Sequence, residues 1–412
     1  MELSSKSLLQ ARKRIEKLIA PTPAVPALFL DKMTKGSVWL KLESLNVGGS
    51  FKIRGATNAL LQIPKHELQK GVIAASAGNH AQGVASTCRL LGAKCRIFMP
   101  ENTPLIKLEA TKTLGAEIQL VGQTIDDALK AAEAYQVSHG GTFVHAFANA
   151  DVIAGQGTIG HELLEQISDI ETVVVPIGGG GLISGIASVI KERLPNAKII
   201  GVQAESYPSM KVAFSGGDIS KIVALPTIAD GIAIKKPSEM TLEIIKKYVD
   251  DIVTVSEDEI AAAVMLLMER GHLLAEGAGA ASVAGFLNLA EKGLFNSNGG
   301  ATVCIISGGN IDVNLLKRIM VRGLIYSGRQ MTIRVRVYDR PGNLAQVLDL
   351  IGKTGANVME IHHHRVQGTA TQFAYVDIEI ELETTNREHQ ISISHLLKAQ
   401  QVSFQITLPS EL

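Results

Sequence analysis

Thr172-Val173-Val174-Val175-Pro176-Ile177-Gly178-Gly179-Gly180-Gly181-Leu182 joins a β-branched run to four consecutive glycines and the start of an apolar helical stretch. A continuous apolar strand of this kind suits a parallel sheet covered on both faces. Glycines at a strand end that opens a helix leave backbone N–H groups free to surround an anion, so the segment reads as a phosphate cradle. An ordinary turn rarely needs four glycines. Two nucleotide motifs fail. The dinucleotide fingerprint G-x-G-x-x-G ends on Ile183 or Ser184 when started at Gly178 or Gly179, and from Gly180 its middle position is Leu182. Gly352-Lys353-Thr354 has the ending of a Walker loop, but Val347 stands where its first glycine belongs.

The same rhythm extends outward from about residue 1 to 326. Val72–Ala75, Cys95–Met99, Ile199–Val202 and Thr302–Ile306 are further short β-branched runs separated by helical stretches. Ligands of open α/β sheets bind at the carboxyl ends of such strands. After Val72–Ala75 comes Ser76-Ala77-Gly78-Asn79-His80-Ala81-Gln82-Gly83, and after Thr302–Ile306 comes Ser307-Gly308-Gly309-Asn310. Each lets backbone approach a ligand closely, and each also suits a plain capped turn. Lys52, in Ser50-Phe51-Lys52-Ile53-Arg54-Gly55-Ala56, is framed by Phe51 and Ile53 and follows Asn46-Val47-Gly48-Gly49. Most lysines are solvated surface charges. A desolvated one has a lowered pKa and can form a Schiff base. Together these segments make one phosphate cradle, one flanked lysine and two small-residue pockets, a set that suits a phosphorylated aldehyde cofactor.

Composition narrows the class. The chain has 412 residues, of which 46% are hydrophobic and 19% charged, so it can bury a large core and is not disordered. Forty basic and forty acidic side chains cancel, which argues against nucleic acid or an acidic membrane surface as a partner. Cys88, Cys95 and Cys304 show no C-x-x-C spacing, so neither a disulfide framework nor a zinc ribbon is expected. Met1–Lys17 lacks a signal-peptide apolar stretch, and the most apolar window, Ile260–Met268, is too short to span a bilayer. The expected location is the cytoplasm.

At Ser327-Gly328-Arg329 the pattern changes. Met331–Tyr338 alternates, with Ile333, Val335 and Val337 on one face and Thr332, Arg334 and Arg336 on the other. The spacing then predicts a helix near 343–354, strands near 356–365 and 372–382, a helix near 388–399 and a strand near 402–408. This βαββαβ order is a small ferredoxin-like domain. The expected division is a catalytic domain over 1–326, a linker over 327–330 and a second domain over 331–412. His362-His363-His364 lies in a predicted strand, where alternate residues face opposite sides, so no metal site is expected there.

SFKIRGA (50–56), SAGNHAQG (76–83), PIGGGGL (176–182) and SGGN (307–310) resemble the motifs of fold-type II pyridoxal-phosphate enzymes, most closely the threonine dehydratases. Ala229-Asp230-Gly231 and the run Ala275–Ala280 are also in place, and the likeness spans roughly 10–326. Residues 331–412 resemble an ACT domain, with Asp339-Arg340-Pro341-Gly342-Asn343 as its first turn. The resemblance implies an α/β fold with two open twisted sheets, like the tryptophan synthase β chain, plus the ferredoxin-like domain. It implies that Lys52 carries pyridoxal 5'-phosphate, Gly178, Gly179, Gly180, Gly181 and Leu182 hold its phosphate, Asn79 meets the ring hydroxyl and Ser307 the pyridine nitrogen. Phe51 and Glu276 are expected beside the ring, and Ser76, Ala77, Gly78, Asn79 and His80 around the substrate. Asp339, Gly342, Asn343 and Leu344 are the expected effector site. Glu205 matches a divalent-cation ligand of serine racemases, but Lys211 stands where they have an aspartate, so no metal is expected.

The implied reaction is deamination of L-threonine to 2-oxobutanoate and ammonia, more slowly of L-serine, in a homodimer or homotetramer restrained by isoleucine. A serine at the pyridine nitrogen makes the ring a weaker electron sink, which suits rapid β-elimination better than transamination. A serine racemase is the rival within the fold, but Ala77 stands where racemases have a proton-carrying serine. A non-catalytic amino-acid sensor is the rival outside it, and the intact Lys52, Asn79, tetraglycine and Ser307 argue against that.

Overall fold

The computed structural model describes residues 3–295, 297–364 and 374–407, which divide into two compact units at 312/313. The first holds two open sheets. The larger runs Ala24–Pro26, Val38–Leu42, Ala301–Ile306, Ile170–Pro176, Lys198–Ala204 and Asp251–Val255 from edge to edge. Only its first strand is antiparallel to its neighbour. The smaller sheet is all parallel, in the order Glu117–Leu120, Cys95–Met99, Val72–Ala75 and Thr142–Phe143. Val173, Val174 and Val175 are fully buried, as a strand covered on both faces requires. The five strand runs read from the sequence all form, extended by a residue or two where the ladder continues.

The two sheets meet along helix Ala150–Gln166. One face of that helix lies against helix Lys52–Leu60, where a Cβ added to Gly155 would sit 2.6 Å from Arg54 O and from Gly55 Cα. Another face, at the same level, lies against helix Gly181–Arg193, where a Cβ on Gly185 would sit 2.5 Å from Gly157 N and from Ile153 O. Both crossings are backbone on backbone, a spacing that any side chain would open. The helix that carries Lys52 and the helix that follows the four glycines are thus held at fixed separation by one shared neighbour.

The second unit begins one helix earlier than the change in sequence rhythm, at Val313–Tyr326. Its sheet order is Asn357–His364, Tyr375–Glu383, Gln330–Tyr338 and Ser403–Thr407, antiparallel throughout. Helices Asn343–Gly352 and Arg387–Ala399 supply Val347, Ile351, Ile393 and Leu397 to a core with Ile333, Val335, Ile378 and Ile380. The opposite face is polar. Arg334 Nη2 donates to Glu379 Oε2 at 2.8 Å, and Arg336 donates to both oxygens of Asp377 at 2.7 and 2.8 Å. His363 registers with Ile378 and His362 with Glu379, so the two fall on opposite faces. The outer ends of three expected strands, at Arg365, Gln372 and Leu408, lie outside the described residues. No described helix is long and apolar enough to cross a membrane.

Gly155→Ala should lower stability by ~1–3 kcal/mol, because its new methyl meets backbone that has no rotamer to change. Denaturant unfolding of the two proteins checks this.

Candidate active site

Four strand ends of the first unit deliver the site. Strand Val72–Ala75 runs into Ser76, strand Ile170–Pro176 into Ile177 and the glycines, and strand Ala301–Ile306 into Ser307. The short strand Thr142–Phe143 runs into Val144-His145-Ala146-Phe147, a segment the motif reading passed over.

Lys52 is the first residue of helix Lys52–Leu60 and is partly exposed along its chain, but its ammonium sits deep. Nζ donates to Ala146 O at 3.3 Å and lies 5.1 Å from the centre of the Phe51 ring. Burial lowers its pKa to about 8, and the charge of Glu276 opposes that fall. Such an amine is a competent nucleophile toward a carbonyl near neutral pH. The preceding loop is tied to the Ser307 loop. Phe51 N donates to Ser307 O at 3.1 Å, Gly309 N to Gly49 O at 2.9 Å, and Asn310 Nδ2 to Gly48 O at 2.7 Å.

Asn79 opens helix Asn79–Leu91. Its Nδ2 donates to Glu276 Oε1 at 2.6 Å, and its Oδ1 accepts from Asn310 Nδ2 at 2.9 Å. Glu276 is buried, and burial raises its pKa to about 8, with Asp230 adding to the rise. Asp230 in turn pairs with Lys107. Ser307 is buried, and its hydroxyl donates to Ala278 O at 3.3 Å. Ser76 Oγ accepts from Gly78 N at 3.2 Å, which shapes the turn before Asn79.

His80 faces inward. Its Nε2–H donates to Val144 O at 2.9 Å, which leaves Nδ1 as a buried acceptor with no hydrogen-bond partner. Burial first, and Lys52 second, press its pKa down to about 3. The same two causes press that of His145 to about 4, and His145 Nδ1 accepts from Phe147 N and Ala148 N at 3.2 and 2.9 Å. Both imidazoles are therefore neutral near pH 7.

The tetraglycine turn is packed so that its glycines are required. A Cβ on Gly179 would enter the Phe147 ring, and one on Gly178 would sit 3.0 Å from Ile232 Cα. Gly180 has φ +90°, a conformation that side chains disfavour. Thr241 Oγ1 donates to Gly179 O at 2.8 Å and fixes the turn from outside. Leu182 follows in the first turn of helix Gly181–Arg193, whose leading N–H groups have no intrahelical acceptor. Ala146 and Phe147 thus join the two halves, one touching Lys52 and the other the glycines. Their signal in the sequence was their place after a strand, without a motif of their own.

The residues expected for an effector lie in the second unit. Gly342 has φ +92° and precedes helix Asn343–Gly352, Asn343 Nδ2 donates to Tyr338 O at 3.0 Å, and Leu344 packs on that unit's core.

Residues 15–308 match the model of the pyridoxal-phosphate-dependent enzymes. An L-threonine ammonia-lyase of Thermotoga maritima is 43% identical over 397 residues, covering 96% of this chain and 98% of that one. The processed form of threonine deaminase isoform 2 from Solanum lycopersicum has a TM-score of 0.71 at 34% identity, covering 78% of this chain and 90% of that one. Maize serine racemase has a TM-score of 0.70 at 30% identity, covering 78% and 99%. The residues here suit the cofactor of that family, since a desolvated amine and a glycine turn too tight for any Cβ stand on either side of Ala146-Phe147. Its motifs, its paired sheets and its relatives agree that this chain belongs to the pyridoxal-phosphate-dependent enzymes of fold-type II.

Proposed function

We propose that this chain deaminates L-threonine to 2-oxobutanoate and ammonia, and L-serine more slowly. The observation that carries this reading is the Lys52 amine, desolvated to a pKa of about 8 and held on Ala146 O beside the glycine turn. Relatives named L-threonine ammonia-lyase and threonine deaminase support the choice of substrate.

Pyridoxal phosphate, when bound, supplies the electron sink that acidifies the substrate Cα–H and eases loss of the β-hydroxyl. The roles of this chain's residues follow. Lys52 would hold the cofactor through its amine, and the same amine, when free, would take the substrate Cα proton. The N–H groups from Gly178 to Leu182 bind the phosphate. The turn Ser76–Asn79, at the head of helix Asn79–Leu91, binds the substrate carboxylate, and His80, next in that helix, is turned inward onto Val144 O. Ser307 meets the pyridine nitrogen with a hydroxyl, which does not retain a proton there as a carboxylate would. Asn79 and Glu276, already bonded to each other, stand on the ring-hydroxyl side, and Phe51 flanks the lysine. Burial favours the protonated form of Glu276, which would keep that side of the ring neutral. Released enamine hydrolyses to the oxo acid and ammonia. Ala77 carries no proton, which favours elimination over racemisation.

The second unit is proposed as an isoleucine sensor of the ACT type, with Asp339, Gly342, Asn343 and Leu344 around the effector and the domain at 331–412. The N–H groups that open helix Asn343–Gly352 suit a carboxylate. The assembly is proposed to be a cytoplasmic homodimer or homotetramer.

Lys52→Ala should abolish threonine deamination and remove the absorbance band of the bound cofactor. Retention of both in the purified variant would rule out Lys52 as the cofactor-bearing residue.

Glu276 stabilises the fold when neutral. Its contribution is full below the ordinary carboxylate pKa and fades as pH climbs toward about 8. Glu276→Gln should therefore gain stability relative to the parent between pH 5 and 8, by at most ~1.4 kcal/mol per pH unit. Urea unfolding at both pH values reads the difference, and a constant gap sinks the assignment.

A chain stopped after Gly328 should stay active and ignore isoleucine, whereas the full chain should be inhibited by it. Steady-state assays over an isoleucine titration decide, and a full-length enzyme indifferent to isoleucine refutes the sensor.

A further inference from the structure

Two residues beyond Lys52, the Arg54 side chain is fully buried, and its guanidinium uses every N–H it has. Nε and Nη2 donate to the two oxygens of Glu43 at 2.7 and 2.9 Å. Nη1 and Nη2 donate to the two oxygens of Glu162 at 2.5 and 2.9 Å. The remaining Nη1–H donates to Thr158 Oγ1 at 3.1 Å. Lys41 completes the array, donating to Glu162 Oε2, Thr22 O and Gln166 Oε1 at 2.6, 2.7 and 2.9 Å. Two cations and two carboxylates thus cancel without solvent. Burial alone would lower the pKa of Arg54 and raise that of Glu43, but their mutual attraction reverses both shifts and keeps the groups charged.

The members come from elements that frame Lys52. Lys41 lies on strand Val38–Leu42 and Glu43 in the turn that follows it. Thr158, Glu162 and Gln166 lie on helix Ala150–Gln166, the neighbour shared with the tetraglycine helix. The loop that delivers Lys52 runs from Glu43 to Arg54, so one carboxylate ties both its ends. Glu43 also accepts from Asn46 Nδ2 within that loop at 3.1 Å. A buried ion pair adds little net stability, because desolvation offsets the attraction, and apolar side chains of equal volume often serve as well. Its bonds are directional, however, and a bidentate guanidinium fixes orientation as apolar packing does not.

We propose that Arg54 is a positioning residue for the chemistry at Lys52. By gripping Glu43 and Glu162 at once, it sets the angle of the first turn of helix Lys52–Leu60, and with it the place of the lysine amine relative to the glycine turn. This rests on Lys52 being the cofactor-bearing lysine, which Lys52→Ala tests by itself. A retained band in that variant defeats the parent reading, whereas the variants below act with Lys52 intact.

The test uses full-length holoenzyme. Arg54→Lys keeps the charge and loses the fork, and Glu43→Gln keeps the shape and loses the charge. With rates expressed per cofactor-loaded site, Arg54→Lys should lower kcat by about 10- to 100-fold and change KM by less than about threefold. The pH profile of the bound-cofactor absorbance should shift with it, and Glu43→Gln should move both readouts the same way by less. Variants that melt earlier but keep the parent's kcat per loaded site and its absorbance profile overturn the proposal. So does failure of both variants to fold, since the array would then be a folding element alone.

Discussion

Backbone meets backbone at two crossings of helix Ala150–Gln166, and the site depends on that closeness. Gly155 faces the turn Arg54-Gly55, and Gly157 faces Gly185. A methyl at either crossing would push on main chain, which yields far less than a side chain does. The distance from the Lys52 helix to the tetraglycine helix is therefore set by the radius of the backbone and not by rotamers. The lysine amine and the glycine turn are thereby held at a fixed span.

The same packing sets the electrostatics. Low polarity around the cleft draws its isolated titratable groups toward their neutral forms. Lys52 falls to about 8, Glu276 rises to about 8, and His80 and His145 fall to about 3 and 4, with burial the leading cause each time. A few residues away, Arg54 and Glu43 show the opposite response to equal burial, because each finds its countercharge within hydrogen-bond reach. Burial thus yields reactive groups where partners are withheld and rigid ones where they are supplied. Lys52 and Arg54, neighbours in one helical turn, fall on opposite sides of that division.

Much of this was legible in the amino-acid order. Continuous β-branched runs specify strands covered on both faces, and Thr172–Val175 could have become little else. Alternation in 331–338 fixed a half-buried strand, and the βαββαβ order of the second unit followed from the spacing. Lys52, the Asn79 turn, the four glycines and Ser307 all stand directly after strands or glycine turns, where local sequence carries the signal.

Other parts had no local signal. Ala146 and Phe147 join the lysine to the glycine turn through a backbone carbonyl and a ring, and neither residue type marks itself as part of a site. Glu43, Arg54 and Glu162 read separately as three charges, and only the fold brings residues up to 119 positions apart into one buried array. The start of the second unit at Val313, one helix before the change in pattern, likewise had no local signal. The sequence determined strands, turns and the place of a lysine framed by apolar neighbours after a glycine turn, because periodicity and glycine act within a few residues. The depressed pKa of that lysine, and the elements that hold it in place, were decided by the tertiary structure, because desolvation and charge pairing depend on distance through space.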